Sequence, residues 1–240
     1  MFYKRIFVTI IFLIFTSSVY SQEGGMFSFA GGPVIGYYYN NVDDLNKEIV
    51  KMGLPEISKG GFLTLGGGGY IDVPSVKGLR VGCYGLGFSD SKNGNITGTN
   101  SLINSVKYSY SYGALVFEYV KSLNENVVYT VGGAFGIGGL SIDLIKHSNQ
   151  LQNWGFNGGD TINVSNVLHY QSQSYSVEPR IGIGFQLSKF LNLKINAGYS
   201  FSIQNKWKLD DVIEVKNVPS GIKAQGLNLN ISLNAGIFFF

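Results

Sequence analysis

Apolar and polar residues alternate through most of the chain's second half. From 175 to 187 the odd positions are Tyr, Val, Pro, Ile, Ile, Phe and Leu, and the even positions are Ser, Glu, Arg, Gly, Gly and Gln. From 191 to 203 and again from 227 to 239, Leu, Ile, Ala, Tyr and Phe hold the odd places. Asn, Ser, Gly and Lys hold almost all of the even ones. A period of two marks strands with one apolar face. These runs are long. An ordinary strand has about 5–6 residues, whereas a tilted strand that crosses a bilayer needs about 9–11.

The same reading over the whole chain predicts eight strands, at about 26–39, 61–73, 79–89, 105–120, 127–145, 167–187, 191–205 and 225–240. Their connections alternate in length. Residues 74–78, 121–126 and 188–190 are short turns; 40–60, 90–104, 146–166 and 206–224 are long loops. An up-and-down membrane barrel with both termini in the periplasm places short turns on that side and long loops outside. Every connection falls on the side its length requires.

The first long loop carries Val42, Leu45, Ile49 and Met52 at helical spacing. Asp43 and Asp44 sit where a helix N-terminus favours anions, and Lys51 sits near the other end. Gly53 can turn the chain out of the helix, and Pro55 follows. A short amphipathic helix is expected over 41–52, packed on the barrel rim, lying as a lid over its mouth, or serving as a docking site for a partner. The other three long loops are rich in Asn, Ser, Gly and Lys.

Two strands break the simple pattern. Tyr108, Tyr110 and Tyr112 share one parity and Leu115, Phe117 and Tyr119 the other, which predicts a parity change hinged at Gly113. Pro179 lies mid-strand without an N–H to donate, which predicts a bulge.

A water-soluble barrel would also alternate, with its apolar face inward. Its exterior would then carry many Lys and Glu. Here the polar face is mostly Asn, Ser and Gly, which suits the interior of a narrow barrel. Charged residues are 14% of the chain, against roughly 25% in soluble domains. Closure also pairs every backbone polar group, as lipid demands. Aromatic girdles are expected at both ends: Tyr37, Tyr38, Tyr39, Tyr108, Tyr110 and Trp207 at one rim, and Phe117, Tyr119, Tyr129, Phe185, Phe190, Phe238, Phe239 and Phe240 at the other.

Residues 1–21 read as a secretory signal peptide. Lys4 and Arg5 precede an apolar run that only Thr9 interrupts, and small residues lead to a cut after Ser21. The run is too short for a transmembrane helix. Residues 22–240 then form the barrel domain. No basic stripe is present, so nucleic acid is not expected as a partner. Cys83 stands alone and reads as a small wall residue, without the electropositive niche that reactivity needs. The 33 glycines are about twice the usual share. Many fall inside strands, where inward glycines leave space for inward Tyr70, Tyr84 and Phe88. Gly66 to Gly69 is not a phosphate loop, because Tyr-Ile-Asp-Val continues the strand in place of Lys-Ser or Lys-Thr.

The leader, the eight-strand meander and the terminal Phe238 and Phe240 together resemble small bacterial outer-membrane barrels of the OmpA and OmpX type. The resemblance implies an all-β, eight-stranded antiparallel barrel in the outer membrane, with outer-membrane lipid and lipopolysaccharide around it. Its loops are then free to meet an extracellular ligand. Family members end on an aromatic residue with apolar residues at every second position upstream. Gly236, Asn234 and Ser232 depart from that pattern, and a bulge near the end would restore it.

Asp72, Arg80, Glu118, Glu178, Arg180 and Lys194 fall on the polar faces of their strands. Ions inside a narrow lumen are costly unless paired, so these six are expected to form a lumen charge network. A gated ion path is the functional alternative. Some barrels of this shape are lipid hydrolases or acyltransferases. The matching candidates here are His147 and His169 with Ser148, Ser172, Ser174 and Asp160, but the His-x-Ser spacing of deacylase barrels is missing. Two imidazoles are too few for a metal site. The favoured reading is a non-enzymatic barrel without cofactor, serving as envelope structure or surface-binding platform. The alternative is a narrow conduit for a small apolar molecule or ion.

Overall fold

The computed structural model of the chain describes residues 27–94, 102–148 and 166–239. The leader, Asp160 and Phe240 lie outside the described residues, as do the side chains of His147 and Ser148. The elements in chain order are β1 (Phe27–Asn40), α1 (Asp43–Lys51), β2 (Phe62–Asp72), β3 (Leu79–Asn93), β4 (Leu102–Ser122), β5 (Val127–Ser148), β6 (Asn166–Ser188), β7 (Leu191–Gln204), β8 (Lys208–Leu209), β9 (Ile213–Glu214) and β10 (Gly226–Phe239). Eight long strands pair with their chain neighbours, all antiparallel, and β1 with β10 completes the circle. The expected all-β, eight-stranded up-and-down barrel is therefore present.

One hydrogen-bonded row shows how the barrel is staggered. It runs from Tyr38 through Asn228, Gly198, Arg180, Gly132, Glu118 and Arg80 to Asp72. One step beyond the pair Phe29–Ile71, it returns to β1 at Ser28. The circuit thus slips by ten residues, from 38 to 28. A stagger of that kind tilts strands by about 35–45° and leaves an interior that side chains fill.

Even positions point inward in all eight strands and odd positions outward. The exterior is bulky and apolar, with Ile35, Leu63, Leu65, Ile181, Ile195 and Ile231 all exposed. Tyr37, Tyr39, Tyr175, Tyr199 and Phe201 are exposed near the long-loop end, and Phe29, Phe117, Tyr119 and Phe190 near the short-turn end. Two exterior aromatic belts result, but their membership differs from expectation. Tyr38, Tyr108, Tyr110, Trp207 and Phe238 are buried instead.

Strands β4, β5 and β6 have 21, 22 and 23 residues, against 14 in β1, β7 and β10. A crossing needs about 9–11, so these strands overshoot the apolar band at the long-loop end. Their outward residues change there from Leu115, Ile137 and Tyr175 to Ser109, Ser141 and Gln171. The inward residues of β4 and β5 stay apolar there, with Val106, Tyr108, Leu140, Ile142 and Leu144 buried.

This overshoot corrects the reading of β4. Its parity does not change at Gly113, and its register with β3 and β5 is unbroken. The tyrosines point inward because the projecting sheet has an apolar interior, while Leu115, Phe117 and Tyr119 point outward into the apolar band. Pro179 makes no bulge either. The ladder with β7 skips from Val177–Phe201 to Arg180–Gly198 without losing register, and the irregularity lies instead at Gln186/Ser188, beside the turn. A one-residue slip at Pro179 would send Glu178 or Arg180 to the apolar exterior. The β1–β10 ladder runs in one register to Phe27–Phe239, so no bulge restores the terminal pattern. The hairpin of β8 and β9, laid along β6 through Leu209 and Tyr170, was not expected.

Candidate functional site

The candidate site is the lumen, and it has two halves. Toward the short-turn end lies the charge network. Asp72, Arg80, Glu118 and Arg180 are row neighbours, with only Gly132 interposed. The signs alternate along the row. Arg80 Nε donates to Asp72 Oδ1 at 2.7 Å, and Ser28 donates to the same carboxylate. Lys194 reaches across from β7 to donate to Glu118 Oε2. Arg180 Nε lies 3.3 Å from Glu118 Oε1, over Gly132. A methyl group at Gly132 would sit 2.0 Å from the Phe117 carbonyl oxygen, so the position must stay bare. Glu178 accepts from Tyr84 Oη at 3.0 Å and from Asn228 Nδ2 at 2.7 Å. Arg80 and Arg180 stack over the rings of Tyr70 and Tyr84.

All six expected residues are buried and form two linked groups with three acids and three bases. Ser28, Tyr70, Tyr84 and Asn228 complete the arrangement, and only their even parity could have pointed to them. The glycine expectation holds here: added methyl groups at Gly82 and Gly68 would meet the Cβ atoms of Tyr70 and Tyr84.

Toward the long-loop end the lumen is aromatic. Tyr38 stacks on Tyr110 at 5.0 Å, Phe62 on Phe88 at 4.3 Å, and Tyr110 on Tyr112 at 6.1 Å. Above them lies α1. Val42, Leu45 and Ile49 join the same apolar cluster, with Leu54, Ile57 and Trp207. The Asn46 side chain pairs with both backbone groups of Ile57, at 3.0 and 2.8 Å, and holds the return half of the loop against the helix. Asn40 Nδ2 donates to Tyr108 Oη and to the Lys223 carbonyl, which joins a second loop to the cap. Between rim packing and a lid, the lid describes this helix better, because its buried face joins the lumen cluster. Met52 leaves the predicted stripe: it is exposed, and Gly53 turns the chain away at φ 72°. On the solvent side the Asp44 carboxylate accepts from Lys47 Nζ and holds that ammonium's pKa above its ordinary value.

Ile49→Asp should free this lid. A carboxylate among Tyr and Leu side chains has no partner there. Limited proteolysis is expected to cut within 41–60 much faster than in the unmodified protein, while the strand signal in circular dichroism stays the same. An unchanged cleavage rate would mean that the helix does not depend on its buried face.

Among the described residues, the hydrolase candidates are not brought together. Ser172 and Ser174 point into the barrel, and Ser172 Oγ donates to the Asn205 carbonyl. His169 points outward and pairs through Nδ1 with Asp143, its neighbour on β5. Asp143 had no sequence signal, because only strand register places it beside His169. Cys83 is exposed on the exterior wall. Among the described residues, no three His, Cys, Asp or Glu side chains gather as metal ligands, and no helix is long and apolar enough to cross a membrane.

No protein-family model matches the chain, and neither does any curated protein. Several solved structures are similar in shape. Ail, the attachment invasion locus protein of Yersinia pestis, solved in complex with the heparin analogue sucrose octasulfate, is 13% identical. The match covers 90% of this chain and 100% of Ail, with a TM-score of 0.41. A major outer membrane protein from Thermus thermophilus is 12% identical over 89% of this chain and 99% of its own, at 0.48. Acinetobacter baumannii CarO2 is 11% identical over 88% and 99%, at 0.38. The barrel assignment rests on the strand pairing and not on these likenesses.

Proposed function

We propose that this chain is a non-enzymatic outer-membrane barrel, exported by residues 1–21, which serves as envelope structure or as a surface-binding platform. The exterior is suited to outer-membrane lipid, with lipopolysaccharide around the projecting ends of β4 to β6. An extracellular ligand would meet the long loops and α1. The observation that carries the reading is the filled lumen: balanced, paired ions below, stacked aromatic rings above, and a helix across the mouth. The cavity among the ions measures only about 50 Å³. Nothing of that size conducts like a porin.

Reconstitution in planar bilayers tests this. The protein is expected to fold in detergent, to migrate differently before and after boiling, and to give no large steady conductance. Stable porin-like openings in the unmodified protein would replace this reading with the narrow-conduit alternative.

A further inference from the structure

The lumen carries a second row of inward positions that the ion network does not use. Across six strands it reads Thr64, Gly36, Asn230, Asn196, Gly182, Thr130. The order is a palindrome: threonine, glycine and asparagine, then the same three reversed. Each half builds the same cradle. A methyl group on Gly36 would lie 2.2 Å from Asn230 Oδ1 and 2.4 Å from Thr64 Oγ1. On Gly182 it would lie 2.4 Å from Asn196 Oδ1 and 2.7 Å from Thr130 Oγ1. In both places a hydroxyl and an amide oxygen lean over one bare stretch of backbone.

These four side chains are at most 5% exposed. None of the four oxygens has a hydrogen-bond partner in the protein. A buried polar atom needs a partner, and these four stand together in one symmetric row. Asn196 and Asn230 also line the cavity of about 50 Å³, together with Arg180 and Glu118. Arg180 Nε and Nη1 and Glu118 Oε1 lack aligned hydrogen bonds as well.

We infer that each cradle binds one water molecule, which bridges threonine hydroxyl and asparagine oxygen over the glycine, and that further waters fill the cavity between the two cradles. The chemistry selects the ligand. Asn230 Oδ1, Asn196 Oδ1 and Glu118 Oε1 accept, Arg180 Nε and Nη1 donate, and the threonine hydroxyls do both. An anion answers only the donors. A cation answers only the acceptors, and it would face Arg180 and Lys194. An apolar molecule answers neither. Water answers both. One water needs roughly 10–15 Å³ of such space, so the cavity takes several. The waters would form a hydrogen-bonded belt over six of the eight strands.

Magnetic relaxation dispersion of water oxygen-17, on refolded protein in micelles, counts long-lived internal waters. The unmodified protein is expected to show at least two. Thr64→Val keeps the shape and deletes the hydroxyl. It should remove one long-lived water and lower the urea midpoint of unfolding. Thr64→Val with Thr130→Val should remove two. Thr64→Ser, which keeps the hydroxyl, should retain the count. The dry alternative has the opposite sign: removing an orphaned hydroxyl would raise the midpoint and leave the count unchanged. That result overturns the inference, as does an equal loss in the Ser and Val variants. Thr130→Val repeats the test at the second cradle should Thr64→Val not fold.

Discussion

Glu118→Leu is expected to destabilise the folded barrel by about 3–5 kcal/mol, the range for breaking a buried ion pair by removing one partner. Glu118 is the carboxylate that two cations share. Lys194 donates to one of its oxygens and Arg180 lies beside the other. All three groups are buried. Without the acid, Lys194 loses its partner and Arg180 keeps only the Glu178 carboxylate, 3.9 Å away, while Arg80 is the row neighbour on β3. Glu118→Leu combined with Lys194→Met should cost clearly less than the two single changes added together, because the pair is coupled. Urea unfolding followed by circular dichroism gives all three values. Small, additive costs would mean that the ions are solvated, and hence that the lumen is open to water along its length.

The network was legible because its residues obey a rule that the rest of the strand makes visible. In β6 and β7 the exterior is apolar and the interior polar, so Glu178, Arg180 and Lys194 stand out on the polar parity. The same logic failed in β4. There the sequence shows two apolar faces in succession, and a parity change is the simplest way to reconcile them. The structure reconciles them differently. The outward face of β4 is apolar only inside the band, and its inward face turns aromatic only above it. Strand length carried the hint, since the run read at about 105–120 already exceeds a crossing, and the strand itself has 21 residues. Pro179 misled for a related reason. A missing N–H suggests a bulge locally, but register is a property of the whole ladder, and the inward ions on either side of it hold the parity. The pairing of Asp143 with His169 and the threonine–glycine–asparagine cradles depend on register between distant strands. A single sequence does not contain that register, although the threonines, glycines and asparagines of the cradles all sit on the inward parity expected of them.

The sharpest test of the membrane reading compares two outward positions at different heights. Ile195→Arg, within the apolar band of β7, is expected to cost about 2–4 kcal/mol of folding in bilayers, because the guanidinium faces hydrocarbon. Ser109→Arg points outward as well, but from the projecting part of β4. Lys107, two residues further along the same face, already carries a charge there and is exposed. Its cost should lie near 0–1 kcal/mol, about the value at the edge of a bilayer. Both substitutions keep the barrel interior untouched, so packing does not explain a difference between them. Refolding into lipid vesicles from urea measures each cost. In detergent micelles the gap should narrow, since the micelle adapts to the charge. Equal costs at the two positions in vesicles would mean that the exterior band of Leu, Ile and Phe does not lie in lipid, and that the belts of Tyr37, Tyr39, Tyr175 and Tyr199 on one side and Phe29, Tyr119 and Phe190 on the other do not mark its edges.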